Sequence, residues 1–157
     1  MNATSEARLE IVHPELAARI RRAADRLLKA GIVIEVVQGL RTYAEQDALY
    51  AQGRTKPGKR VTNARGGQSN HNFGLAVDVC PFRNGKPDWD APHSVWQQIG
   101  DAGKFEGLEW GGDWTSLVDL PHLQLSGLTL AQCRSFFAAG GLTRVWEEQQ
   151  KLILAAS

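Results

Sequence analysis

Three side chains in this sequence are of types that bind zinc, and their spacing could bring them together. His71 and Asp78 lie seven residues apart, and His122 follows much later in the chain. Imidazole and carboxylate are both zinc ligands, and three protein ligands with an open fourth position are typical of catalytic rather than structural zinc. The residues alone also allow a second interpretation, in which a core histidine, a strand-end aspartate and a surface histidine bind no metal.

Hydrolysis of an amide at such a site would need a base and a positive charge. Zinc lowers the pKa of a bound water from its high value in bulk to about 7, which supplies a nucleophile at neutral pH. Asp119 is the candidate base because it lies three residues before His122, and Glu109 or Asp113 is the alternative. Arg41 is the candidate for the positive charge, since its planar donors suit a substrate carboxylate or a carbonyl oxygen that becomes negative. A surface arginine without a role is the alternative for Arg41.

The residues around the candidate ligands predict the strands that would carry them. The apolar run 75–79 predicts a strand that contains Asp78, and Gly74 before it predicts a turn that leaves the first histidine on the entering loop. Residues 122–125 alternate between polar and apolar side chains, which predicts a second strand with His122 on its polar face.

The remaining pattern predicts mostly helices. Asn84-Gly85 predicts a hairpin after the strand of Asp78, and Pro81 predicts that this strand ends near residue 80. Residues 1–12 are predicted to be a flexible arm, and residues 13–157 one domain whose last helices, from about residue 127, pack on it. Helical periodicity and capping residues predict helices over 14–31, 42–53, 91–105 (with Phe105 inward), 129–140 and from about 143, and a strand over 32–37.

Charge and hydropathy argue against nucleic-acid and membrane partners. The net charge is +1, which gives no general attraction to polyanions. Loop 54–68 has five basic residues and no acidic one, which favours a solvated loop first and an anion-attracting rim beside a cleft second. Nucleic-acid binding is a distant third, because no aromatic side chain in the loop is available to stack on bases. No apolar run approaches the roughly 18 residues of a spanning helix. The polar N-terminus does not match a signal peptide, so synthesis in the cytoplasm is expected.

The two cysteines, Cys80 and Cys133, predict buried free thiols, because they lack the CxxC spacing of redox or zinc motifs. Strand alternation would place Cys80 on the same side as Asp78, which leaves open a role as an additional metal ligand.

A longer motif around the first two candidate ligands resembles a known signature. Ser69-x-His71-x-x-Gly74-x-Ala76-x-Asp78 resembles the SxHxxGxAxD motif of zinc peptidases related to the VanY-type D-alanyl-D-alanine carboxypeptidases, which share the Hedgehog/DD-peptidase fold. The resemblance implies an α+β class, with a small antiparallel sheet flanked by helices in a single domain. It spans roughly residues 14–126.

A second motif points to one branch of these peptidases. Asp119-Leu120-Pro121-His122, after Trp110-Gly111-Gly112-Asp113-Trp114, resembles the L-alanyl-D-glutamate peptidases, which include phage endolysins, and residues 38–50 are similar to the early helix of that branch. The segment after the second histidine, Leu123-Gln124-Leu125, departs from the aromatic and acidic residues that are commoner there.

The resemblance implies residue roles and a substrate. His71, Asp78 and His122 would bind zinc, Asp119 would be the catalytic base, Arg41 would hold substrate or the oxyanion, and Ser69 would orient a ligand. The implied activity is hydrolysis of the L-Ala–D-Glu bond in peptidoglycan stem peptides by a monomeric phage or prophage lysin that reaches the cell wall after holin-type release, and a bacterial enzyme exported by another route is the alternative. Two alternatives stay open: a D,D- or L,D-carboxypeptidase that trims the stem peptide, and a zinc-holding module that binds the wall without cleaving it.

Overall fold

A computed structural model describes all 157 residues and contains five helices and a five-stranded antiparallel sheet. The sheet order is β1-β2-β5-β4, and β3 pairs with the far end of β2. The α+β class with a small antiparallel sheet, predicted from the sequence, is confirmed. The helices are α1 (Ala3–Leu9), α2 (Pro14–Lys29), α3 (Tyr43–Ala51), α4 (His93–Phe105) and α5 (Leu130–Ala156), and the strands are β1 (Val33–Gln38), β2 (Ala76–Arg83), β3 (Lys86–Pro87), β4 (Glu109–Trp110) and β5 (His122–Gln124).

One compact unit, Met1–Gly39 with Leu75–Ser126, contains the whole sheet together with α1, α2 and α4. Helix α4 packs closely because two of its glycines face bulky side chains. A Cβ on Gly100 would overlap the Trp110 ring, and one on Gly103 would overlap Leu123. Trp110 lies in β4 and Leu123 lies in β5, so α4 supports the strand that carries His122.

The N-terminal residues differ from the predicted flexible arm, because residues 3–9 form helix α1. Asn2 caps this helix, and Ser5 Oγ donates a hydrogen bond of 2.5 Å to Glu35 Oε2 on β1. Leu9 and Val12 are buried. The helix is fixed by these tertiary contacts, whereas its own sequence is too short to predict a stable helix.

The second compact unit, Leu40–Gly74 with Gly127–Ser157, is built from α3, a 3₁₀ turn at Asn70–Phe73 and α5. Thr42 caps α3 by accepting from the Glu45 amide, and Thr129 and Gln132 form a capping box at the start of α5. Helix α5 is broken at Gly140 and Gly141, whose backbone angles are not helical. The sequence prediction of two successive helices in this segment is therefore confirmed.

Two local predictions are wrong. Strand β2 continues through Pro81 to Arg83, because the Pro81 position needs no amide for the ladder and its carbonyl accepts from the Asp88 amide. Phe105, predicted to face inward, is 70% exposed, and the Arg26 guanidinium lies 3.6 Å from its ring centroid. None of the helices combines the length and the apolar character needed to span a membrane.

Candidate metal centre

Asp78 and His122 face each other across the pair β2–β5. The two strands have a three-residue register in which Asp78 is the partner of His122. Asp78 Oδ1 lies 3.4 Å from His122 Nδ1. Two atoms bound to the same tetrahedral zinc, each at about 2.0–2.1 Å, would be about 3.3 Å apart. The observed separation therefore suits two ligands of one ion.

Asp119 lies in the turn that leads into β5. Its carbonyl accepts from the His122 amide at 3.2 Å, and its amide donates to the Gly111 carbonyl at 3.0 Å. A Cβ on Gly111 would overlap the Asp119 carbonyl, so this turn needs glycine at residue 111. Asp119 Oδ2 lies 3.7 Å from His122 Nδ1, and its side chain is 45% exposed against 16% for Asp78. Asp119 thus combines a position beside the candidate ligands with access to solvent.

The two ring nitrogens of His122 have different surroundings. Nδ1 faces the two carboxylates, whereas Nε2 lies 2.7 Å from Gln124 Oε1. Burial disfavours charge on the ring, but hydrogen bonds and charge from Asp78, with Gln124 and Asp119, outweigh burial and raise the pKa of His122. The nitrogen that faces the carboxylates is the one placed to bind a cation.

His71 lies in the 3₁₀ turn at Asn70–Phe73 and is buried. Ser69 caps this turn, since its Oγ accepts from the His71 amide at 3.3 Å. Gly74 ends the turn with a φ of +65°, a conformation that glycine adopts without strain. On α5, Trp146 Nε1 donates to the Phe73 carbonyl at 2.8 Å. The C-terminal helix therefore holds the turn that carries His71.

Arg41 is joined to the same turn through the backbone. Its amide donates to the His71 carbonyl at 3.0 Å, and its carbonyl accepts from Asn72 Nδ2 at 3.1 Å. The guanidinium donates to Gln46 Oε1 at 3.3 Å, and Gln46 is itself buried and donates to the Ala64 carbonyl. These contacts fix the direction of the Arg41 side chain.

The structure brings the three predicted ligands together. One possible ligand atom from each of His71, Asp78 and His122 lies within 4.8 Å of the others. Cys80 is not a member of this group; its Sγ contacts the Pro81 carbonyl, and burial raises the pKa of its thiol to about 11. Two imidazoles and one carboxylate, two of them buried, form a donor set that fits zinc.

Sequence reasoning missed four residues that support the site. Asn72 is buried and also accepts from the Gly67 amide, and its only sequence signal is a polar residue beside a candidate ligand. Gln124 was placed on the polar face of its strand but without a role. Glu109 and Trp146 carry no local signal, because their contacts are made with residues 15 and 73 positions away.

Comparison with known proteins finds peptidases. A family model described as D-alanyl-D-alanine carboxypeptidase matches residues 62–125. The peptidoglycan L-alanyl-D-glutamate endopeptidase CwlK of Bacillus subtilis (strain 168) is 40% identical over 126 residues, covering 73% of this chain and 75% of the relative. The L-alanyl-D-glutamate peptidase of Escherichia phage T5 is 33% identical over 123 residues, covering 73% and 81%. The crystal structure of the Serratia marcescens L-Ala D-Glu endopeptidase ChiX matches with a TM-score of 0.59 and 32% identity, over 80% of this chain and 89% of that one.

Proposed function

This chain belongs to the peptidase family that includes the L-alanyl-D-glutamate peptidases, and on that premise we propose that it is a zinc-dependent endopeptidase that cleaves the L-Ala–D-Glu bond of peptidoglycan stem peptides. The observation that carries the proposal is the group of His71, Asp78 and His122 with Asp119 beside it. The identity to relatives with this named activity supports the substrate.

The metal would be held by His71, Asp78 and His122. Bound zinc supplies a Lewis acid that polarises a carbonyl oxygen and lowers the pKa of water. The Asp78 carboxylate offsets part of the charge of a divalent ion, and the buried position of both histidines keeps competing water away from their rings.

Asp119 is the proposed general base. Its carboxylate lies near the metal-facing nitrogen of His122 and is open to solvent, so it can take a proton from attacking water and return it to the leaving amine. Asp78 is less exposed and pairs closely with His122, which suits a ligand better than a proton carrier. The two aspartates thus have separate roles.

Arg41 is the proposed anion-binding residue. Its guanidinium offers planar donors and is directed by Gln46, so it is prepared to hold a stem-peptide carboxylate or the developing oxyanion. Ser69 would orient His71 through the hydrogen bond to the His71 amide.

The cleavage site can be tested on purified sacculi. Digestion by the zinc-loaded protein should produce new D-Glu amino termini, which are identified by labelling the released amines and mass spectrometry. Release of free D-alanine without new D-Glu termini would instead assign a carboxypeptidase. Binding to sacculi without any fragment would assign a wall-binding module and overturn the proposal.

The proposal extends to cell lysis, which the phage relative supports. A lysin made in the cytoplasm would leave cells intact until a holin opens the inner membrane. Co-expression with a holin should cause lysis that the Asp119→Ala variant does not cause. Intact cells under holin co-expression, with active enzyme in the extract, would remove the lytic role and keep the peptidase.

A further inference from the structure

Four side chains on and around β4 and β5 form a hydrogen-bonded series that ends at His122. Trp114 Nε1 donates to Glu109 Oε1 at 2.9 Å. Gln124 Nε2 donates to Glu109 Oε2 at 3.2 Å, and Gln124 Oε1 lies 2.7 Å from His122 Nε2. The Trp114 ring also packs 4.9 Å from the His122 ring, measured between centroids.

The hydrogen-bonding capacity of these groups determines which atom donates and which accepts at each step of the series. An ionised carboxylate only accepts hydrogen bonds, so Glu109 must receive the amide N–H of Gln124. The amide of Gln124 then has to present its oxygen to His122. An amide oxygen also only accepts, so His122 Nε2 must carry a proton.

A neutral imidazole has one proton, and its position decides which nitrogen can bind a metal. If Nε2 carries the proton, Nδ1 has a free lone pair, and Nδ1 is the atom that faces Asp78 and Asp119. Those two carboxylates would otherwise attract the proton to Nδ1. The amide of Gln124 opposes them from the other side of the ring.

We propose that Glu109 and Gln124 are positioning residues that fix the His122 tautomer with the proton on Nε2, so that Nδ1 is prepared to bind the metal. This inference rests on the proposed zinc site. Glu109 does not touch the ligand; it acts by setting the direction of the Gln124 amide. Trp114 anchors the other oxygen of Glu109 but does not set that direction.

The tautomer can be measured without metal or substrate. Long-range ¹H–¹⁵N NMR of the metal-free protein at alkaline pH, where the ring is neutral, distinguishes the two tautomers of His122. The native chain should have the proton on Nε2. In Glu109→Gln the carboxylate no longer sets the orientation of the Gln124 amide, so a substantial fraction of His122 should carry its proton on Nδ1. Trp114→Phe should leave the tautomer as in the native chain.

A double variant that exchanges residues 109 and 124 tests whether the direction of the hydrogen bonds, rather than packing, sets the tautomer. In Glu109→Gln/Gln124→Glu the carboxylate lies next to His122 and the amide lies behind it, so the proton should return to Nε2. Zinc affinity, measured by competition with a chelator, should fall about 10- to 100-fold in Glu109→Gln and recover in the exchanged pair. A merely structural role predicts no recovery in the pair.

Two results would overturn the inference. One is a neutral native ring with the proton on Nδ1. The other is unchanged tautomer and zinc affinity in both Glu109→Gln and Gln124→Leu, the second of which removes the acceptor. Failure of the proposed function would appear differently, as a native chain that binds no zinc or releases no D-Glu termini, whatever its tautomer.

Discussion

Gly74 lies where the turn of His71 meets α5, and replacing it should disturb both stability and metal binding. Its φ is +65°, and a Cβ built there would lie 2.9 Å from Trp146 Cζ2. The left-handed conformation costs a non-glycine residue roughly 1–2 kcal/mol. Overpacking against the indole adds about 1–3 kcal/mol. We therefore expect Gly74→Ala to lower the free energy of unfolding by about 2–5 kcal/mol.

Gly85 provides a matched control. It has a φ of +75°, but a Cβ there would meet nothing within 4 Å. Gly85→Ala should thus cost only the roughly 1–2 kcal/mol of the backbone conformation. The change in the unfolded chain is the same in both variants, so the difference between them isolates the contact with Trp146.

Urea unfolding with a common m-value measures the free energy of unfolding of the two variants. In thermal unfolding, each kcal/mol lost should lower the midpoint temperature by about 2–4 °C in a chain of this size. Adding Trp146→Phe removes the indole atoms nearest to residue 74, so in that background Gly74→Ala should cost no more than Gly85→Ala. Equal destabilisation by Gly74→Ala and Gly85→Ala in the native background would refute the role of the indole. Zinc content should fall only in the Gly74 variant.

Four other expectations follow from the site and the core. Asp119→Ala should retain zinc and lose at least about 100-fold in the rate of sacculus cleavage, and His71→Ala should lose zinc; retained activity in the first or unchanged zinc content in the second would contradict the assigned roles. In the metal-free protein the pKa of His122 is raised above its ordinary 6.5, so its contribution to stability is full below that pH and lost as the pH rises through the higher folded-state pKa, which urea titrations across this range would detect. Cys80 and Cys133 are buried with thiol pKa values of about 11, so both should resist alkylation in the native protein and react in denaturant; rapid native labelling would show that the core opens.

The sequence predicted those parts of the fold that depend on local pattern. Helix α2, strand β1 and the break in α5 follow from apolar periodicity and glycine positions, and the structure has them where the pattern places them. Helix α1 was missed because Ser5 and Glu35, which hold it to the sheet, lie 30 residues apart. Phe105 was assigned to the core on periodicity, but its position at the end of α4 leaves it outside.

The candidate site likewise has residues that local sequence predicted and contacts that it could not predict. His71, Asp78 and His122 were named from residue type and motif, and the structure places their ligand atoms together. Their catalytic and metal-binding roles stay predictions until zinc and activity are measured. The supporting contacts could not be predicted, because the pairing of Glu109 with Gln124 depends on the register of β4 with β5.

The β2–β5 ladder also decides where this protein can accept new sequence. The separation of Asp78 and His122 is set by three paired residues of backbone, and the hairpin tip at residues 84 and 85 is not among them. The hairpin tip at Asn84 and Gly85 is exposed, and a side chain at Gly85 would meet no neighbour. A wall-targeting domain inserted at this tip would leave the two ligands in register, so the chain offers an internal fusion point that keeps both of its ends unchanged.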